Sequence, residues 1–210
     1  MIATYADAMN PASSSEGPPE PFRRAVEGLR AAVLRPEVVL EETAAPQRLA
    51  PYALALSADV FPVGGPADDD EPELASGRFV LLHDPVGHET WQGTFRVVTF
   101  VRAAMEPDLA HDPVLPSVGW SWLTEALDAA GIRYIAASGT VTRVLSESFG
   151  SMADREPTAE LEIRASWTAV DSRLGPHLEA WAEVLCAVAG LPPVIPGVVP
   201  LVRASGRRDF

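Results

Sequence analysis

The apolar and polar positions of this chain recur with two periods, and the switches between them lay out its elements. Phe22, Val26, Leu29 and Val33 follow Pro21 at helical spacing and predict a helix that ends before Pro36, proline being suited to a first helical turn. Val38 to Glu42 reads as a short strand. From Tyr52 to Phe61 the residues Tyr52, Leu54, Leu56, Ala58 and Val60 take one side of a two-residue alternation, which predicts a half-buried strand. Phe79 to His83 and Thr94 to Ala103 read as a hairpin joined through Asp84-Pro85-Val86-Gly87. Helical spacing returns at Trp120, Leu123, Leu127 and Ala130 within Ser117 to Ala130, and Gly131 is placed to close that helix in the left-handed conformation. Tyr134 to Phe149 and Ala159 to Ala169 form a last strand pair. In the second of these, Leu161, Ile163, Ala165 and Trp167 alternate with Glu160, Glu162, Arg164 and Ser166, so one face is core and the other wet. A final helix starts near Pro176, aligns Leu178, Trp181, Leu185 and Val188, and stops at Gly190 and Pro192-Pro193.

These elements define an α+β fold class: an antiparallel sheet of five to six strands with three helices, in the order α-β-β-β-α-β-β-α once the short strand near Val38 is counted as an addition. No unit of strand, glycine loop and helix occurs, which weighs against Rossmann and P-loop nucleotide folds. Residues 1–18, with Ser13-Ser14-Ser15 set among proline and glycine, are expected to be a disordered leader. A single domain is expected over 19–195, and an extended or flexible tail over 196–210. Pro62 to Gly77, which holds the acidic run Asp68-Asp69-Asp70-Glu71, reads as a mobile loop between strands.

Composition narrows the chemistry. All 16 basic residues are arginine, so a Schiff-base lysine and a Walker-type phosphate-binding lysine are both excluded. A formal charge of −13 argues against nucleic acid or an anionic membrane as partner, since each requires a basic face. Cys186 is the only cysteine, which rules out an internal disulfide and a cysteine-rich zinc site. With no secretory pattern at the start and no long uncharged apolar run, the expected setting is the cytoplasm.

Five positions stand out as candidates. His83 and His88 bracket a turn-like segment with Asp84 and Glu89 and would be the first two ligands of a divalent metal, although proline and glycine account for the turn by themselves. Arg143, set on a strand between Val141 and Leu145, needs a carboxylate partner or an anionic ligand if their face is buried. Trp120 and Trp122, two residues apart on a helix, point about 160° away from one another. One of them is expected to pack while the other meets a loop, a second copy of the chain or a ligand. Cys186, on an apolar helix beside Glu183 and Glu179, reads as packing, and no serine sits in a nucleophile elbow.

Pro21-Phe22-Arg23-Arg24-Ala25-Val26, Gly93-Thr94-Phe95-Arg96, Gly119-Trp120-Ser121-Trp122-Leu123, Ser138-Gly139-Thr140-Val141-Thr142 and Glu162-Ile163-Arg164-Ala165-Ser166-Trp167 together resemble the actinobacterial family catalogued as domain of unknown function 3000, over roughly residues 20 to 195. That resemblance implies no activity, cofactor or catalytic residue. The element order alone is similar to that of type III secretion chaperone-like and YbjN-like domains, which implies protein-binding dimers. The leading expectation is therefore a non-catalytic protein-binding or regulatory domain that needs no cofactor and self-associates as a homodimer, using a sheet face or the Trp120 and Trp122 region. The alternative is a small-molecule binder or modest enzyme in which Arg143 holds an acidic ligand.

Overall fold

The computed structural model describes residues 17–62 and 73–193. The acidic run, the tail and all but the last two residues of the expected leader lie outside them. Helix α1 (Glu20–Arg30) is followed by strands β1 (Val38–Thr43), β2 (Tyr52–Val60), β3 (Ala75–His88) and β4 (Gly93–Met105). Then come a one-turn helix α2 (Pro107–Ala110), α3 (Leu115–Ala129), β5 (Tyr134–Ser146), β6 (Thr158–Ala169) and α4 (Gly175–Val188). Every helix carries a proline in its first turn, where the missing N–H costs nothing. The six strands form one antiparallel sheet in the order β1-β2-β3-β4-β6-β5, an α+β fold. The addition near Val38 is the edge strand β1.

All helices longer than one turn pack on one side of this sheet. The side chains they cover are those the alternation marks out: Leu54, Leu56, Ala58 and Val60 on β2, Phe95, Val97 and Val101 on β4, Leu161, Ile163 and Trp167 on β6. Helix α4 lies deepest, with Leu178, Trp181 and Leu185 all shielded, and Trp181 packs at an angle against Phe79 at 5.6 Å between ring centroids. Burying such aromatics is the largest single source of stability available to a domain of this size. Gly131 closes α3 with φ of 63°, as its position implies.

Local features depart from the sequence reading. Strand β3 begins at Ala75, inside the stretch expected to be a loop as far as Gly77. The expected connection Asp84-Pro85-Val86-Gly87 is part of β3, which runs on to His88 through a register shift after His83; the chain turns at Glu89–Trp91 and Gln92, whose φ is 59°. Proline and glycine mark a bulge here and not the turn, because Asp84 accepts a hydrogen bond from the Val86 N–H and holds the kink within the strand. Helix α1 stops at Arg30, so Val33 falls beyond it and is 82% exposed. The short helix α2 follows no apolar period and is an addition to the three helices that the spacing predicts.

Candidate functional site

The other face of the sheet has no α-helix on it among the described residues. Read across the strands, one row runs Val80, Val98, Ser166, Ser138 and the next runs Arg78, Phe100, Arg164, Thr140. Both rows line one open cleft of about 490 Å³, together with the backbone of Thr99, Gly139 and Ala165. Its flanks are built by loops that fold back over the sheet. Ala45 and Ala50 from the β1–β2 connection and Trp91 from the β3–β4 turn pack on Ala55, Val80 and Leu82. Arg78 is tied to that first loop by donating to the Ala44 carbonyl at 2.7 Å.

Arg96, on β4 beside this cleft, is the most unusual residue of the face. It is 9% exposed, and its guanidinium donates to the Ser166 hydroxyl (2.6 Å), the Thr168 hydroxyl (3.0 Å), the Ala136 carbonyl (2.9 Å) and, at 3.4 Å, the Ser138 hydroxyl. No carboxylate lies within salt-bridge distance among the described residues, and desolvation holds its pKa below the ordinary arginine value. A buried cation with only neutral acceptors is costly unless something else compensates it. The Ala136 carbonyl reaches Arg96 because β5 bulges between Ile135 and Ser138, with Ala136 at φ of 51°, a conformation that strains an alanine. Gly139 follows the bulge, and only a glycine fits there: a Cβ would sit 2.3 Å from the Arg164 carbonyl and 2.7 Å from the Trp120 ring on the opposite face.

Arg164 completes the basic character of the cleft. Its guanidinium lies 5.2 Å from the centre of the Phe100 ring and pairs with Glu162 at 2.7 Å, while Arg102 further along β4 pairs with Glu160. Among the described residues the cleft lining contains no carboxylate, imidazole or thiol. On a chain of net charge −13, two arginines, Arg78 and Arg164, thus line one patch of sheet that is otherwise apolar and hydroxyl-bearing, with Arg96 bonded to two of its hydroxyls from the side.

The residues singled out from the sequence lie elsewhere. Arg143 is on the edge strand, exposed, and donates to the Ala110 and Asp112 carbonyls at 3.0 and 2.7 Å, fastening the α2–α3 connection to the sheet. His83 is buried on the helix side, stacked on Phe95 at 4.2 Å and on Phe22 at 5.9 Å, with Nδ1 at 2.9 Å from the Thr94 carbonyl and burial depressing its pKa. His88 stacks instead on Trp91, and no group of three His, Cys, Asp or Glu among the described residues is placed to hold a metal ion. Trp120 packs over Gly139, whereas Trp122 lines a groove of about 510 Å³ between α3 and the end of α4. Cys186 is buried, and the same burial pushes its thiol up to about 11. The residues that sequence reasoning passed over are Arg78, Arg96, Ser138, Arg164 and Ser166. A signal for them existed, since Arg96 and Arg102 share one side of the β4 alternation with Val98 and Phe100, a mixture that neither a core nor a plain solvent face requires.

Fold and cleft together define an α+β protein with one helix-backed antiparallel sheet whose bare face carries a basic, hydroxyl-lined cleft. Over residues 18–199 the chain matches the family described as Protein of unknown function (DUF3000), and it belongs to that family. No curated protein and no solved structure matches it. No helix among the described residues is long and apolar enough to cross a membrane.

Proposed function

We propose that this is a non-catalytic binding domain that takes a small organic anion on the bare face of its sheet. The observation that carries the reading is the make-up of the cleft: Val80, Val98 and Phe100 form an apolar floor with Arg78 and Arg164 beside it. Its volume, about 490 Å³, is that of a small-molecule site. Guanidinium groups recognise anions through paired N–H donors, and an apolar floor supplies affinity for the rest of the molecule. On this reading the cations for an acidic ligand are Arg78 and Arg164 in place of Arg143, whose donors go to two backbone carbonyls. A cytoplasmic setting goes with this reading, supported by the free thiol of the single cysteine.

A thermal-shift comparison of organic acids with their neutral amides tests it. Acids are expected to raise the melting temperature of the wild-type chain and to lose that effect in the Arg78→Gln/Arg164→Gln variant. A ligand at about a hundred times its Kd contributes about 2.7 kcal/mol, enough to read easily. Equal responses from both proteins would refute the site.

A protein-binding role is the second reading, favoured by the half-buried Trp122 in the α3–α4 groove beside Ala126, Leu191 and Pro193. It covers self-association as a homodimer. Trp122→Ala is then expected to change the oligomeric mass or abolish partner capture without unfolding the chain.

A further inference from the structure

We propose that the Ser138–Ser166 pair seats the ligand's carboxylate, that Arg96 is the positioning residue behind it, and that the ligand is a monocarboxylate whose apolar body lies across β4 and β3. This rests on the small-anion reading above.

Not every hydrogen around Arg96 is already in use. A guanidinium can only donate, so the Arg96 bonds to Ser166 (2.6 Å) and Ser138 (3.4 Å) occupy lone pairs on the two serine oxygens and leave both O–H groups unspent. The oxygens are 3.4 Å apart, so one serine can donate to the other. The second then has no acceptor among the described residues, and both serines line the cleft. Thr168 differs: it also accepts from Arg96, but its own hydroxyl donates to the Trp91 carbonyl at 2.5 Å. The serine pair is therefore the one part of the Arg96 cage that still offers a proton, and the buried cation behind it strengthens that donor.

What accepts such a proton must itself be rich in lone pairs. The neighbouring groups, Arg78 and Arg164, are donors as well, so the site suits an oxyanion and disfavours a cation. Phosphate is normally held by arginine forks or by a nest of backbone N–H groups. Here the Arg96 fork is turned onto the serines and the bulge carbonyl, which leaves a seat with few donors that fits a singly charged head.

Register fixes where the rest of the molecule goes. Ser138 pairs with Ser166, Ser166 with Val98 and Val98 with Val80, so polar and apolar ends of the cleft lie in one row across four strands. At about 4.8 Å between strands, that row is about 14 Å long. The Arg164 guanidinium over Phe100 forms its side wall.

Naphthoate, naphthamide and inorganic phosphate, titrated calorimetrically into the full chain at neutral pH, form the test. Wild-type protein is expected to bind naphthoate about tenfold or more tighter than naphthamide, a ratio that one charge-assisted hydrogen bond supplies. In Ser138→Ala/Ser166→Ala the ratio should collapse, naphthoate losing far more affinity than naphthamide, whose carbonyl gives up only a neutral hydrogen bond. Arg96→Gln should lower the ratio too, and adding it to the serine double variant should lower it no further; mere loosening of the cleft would weaken both probes alike. If Arg96→Gln does not fold, the serine variant carries the test alone. Naphthoate binding that survives the serine changes but is lost in Arg78→Gln/Arg164→Gln would overturn the seat and leave the cleft reading standing. Phosphate binding tighter than naphthoate would overturn the carboxylate assignment. No binding of naphthoate at millimolar concentration would overturn both readings.

Discussion

On the helix side of β4, Phe95, Val97, Val101 and Ala103 disappear into a core with Trp167, Trp181 and Leu178; on the bare side of the same strand, Arg96, Val98, Phe100 and Arg102 mix charge with apolar surface. The two sets alternate residue by residue, so backbone and sheet position are the same and only what covers them differs. The covered side gains stability from hydrocarbon removed from water. The bare side holds a shielded cation whose acceptors are all neutral, an arrangement that adds little to stability. Under the proposed reading, stability and binding fall to opposite faces of one sheet.

The sharpest way to break that contrast is to truncate an aromatic on each side. Trp181→Ala is expected to cost about 3–5 kcal/mol, because a fully buried indole leaves a cavity as well as lost transfer energy. Phe100→Ala, half-buried on the bare face, should cost about 1 kcal/mol and act mainly on ligand affinity. Urea denaturation reads both. Equal losses would show that the bare face also carries the fold.

Acid separates the faces next. His177 is buried against Trp167, whose indole N–H donates to its Nδ1 at 2.9 Å, and desolvation pushes its pKa down to about 4 from the ordinary 6.5. The folded state thus holds it neutral while the unfolded chain protonates it. Its contribution is complete above about pH 6.5 and is lost as pH falls toward 4, in total about 3 kcal/mol. His83, lowered by burial on the same side of the sheet, adds to the loss in the same direction. His177→Gln keeps an acceptor for Trp167 without the titrating ring, so its stability should fall much less between about pH 7 and about pH 4.5. Identical slopes for variant and wild type would move the acid sensitivity to another group.

How far each face was legible follows from the same physics. The helix-side face could be read from period-two positions such as Leu161, Ile163, Ala165 and Trp167, since burial by any helix selects the same residue types. The bare face could not, because its cleft depends on a bulge and on loops that return over the sheet. Nothing local announces that Ala136 leaves the β region, and that step is what carries its carbonyl to Arg96, forty residues away. Asp84-Pro85-Val86-Gly87 misled for a related reason: one pair of turn-formers serves a bulge as well as a turn. Arg143, an arginine on a strand, has its needs met by the carbonyls of Ala110 and Asp112, a contact set by tertiary packing that no local pattern announces.

The smallest effect is the most discriminating. Ala136 at φ of 51° pays a steric penalty that a glycine would not, partly offset by the greater freedom of glycine when unfolded. Ala136→Gly is therefore expected to raise stability by about 0.5 kcal/mol. If the strain serves only the fold, nothing else should change. If it holds the bulge carbonyl against Arg96 and so keeps the guanidinium aimed at Ser138 and Ser166, relief of the strain loosens the seat, and naphthoate affinity should fall by about threefold while naphthamide affinity stays put. On the helix side a stabilising change carries no such cost, so a variant at Ala136 that gained stability and kept full carboxylate preference would show that the bare face follows the same rules as the core.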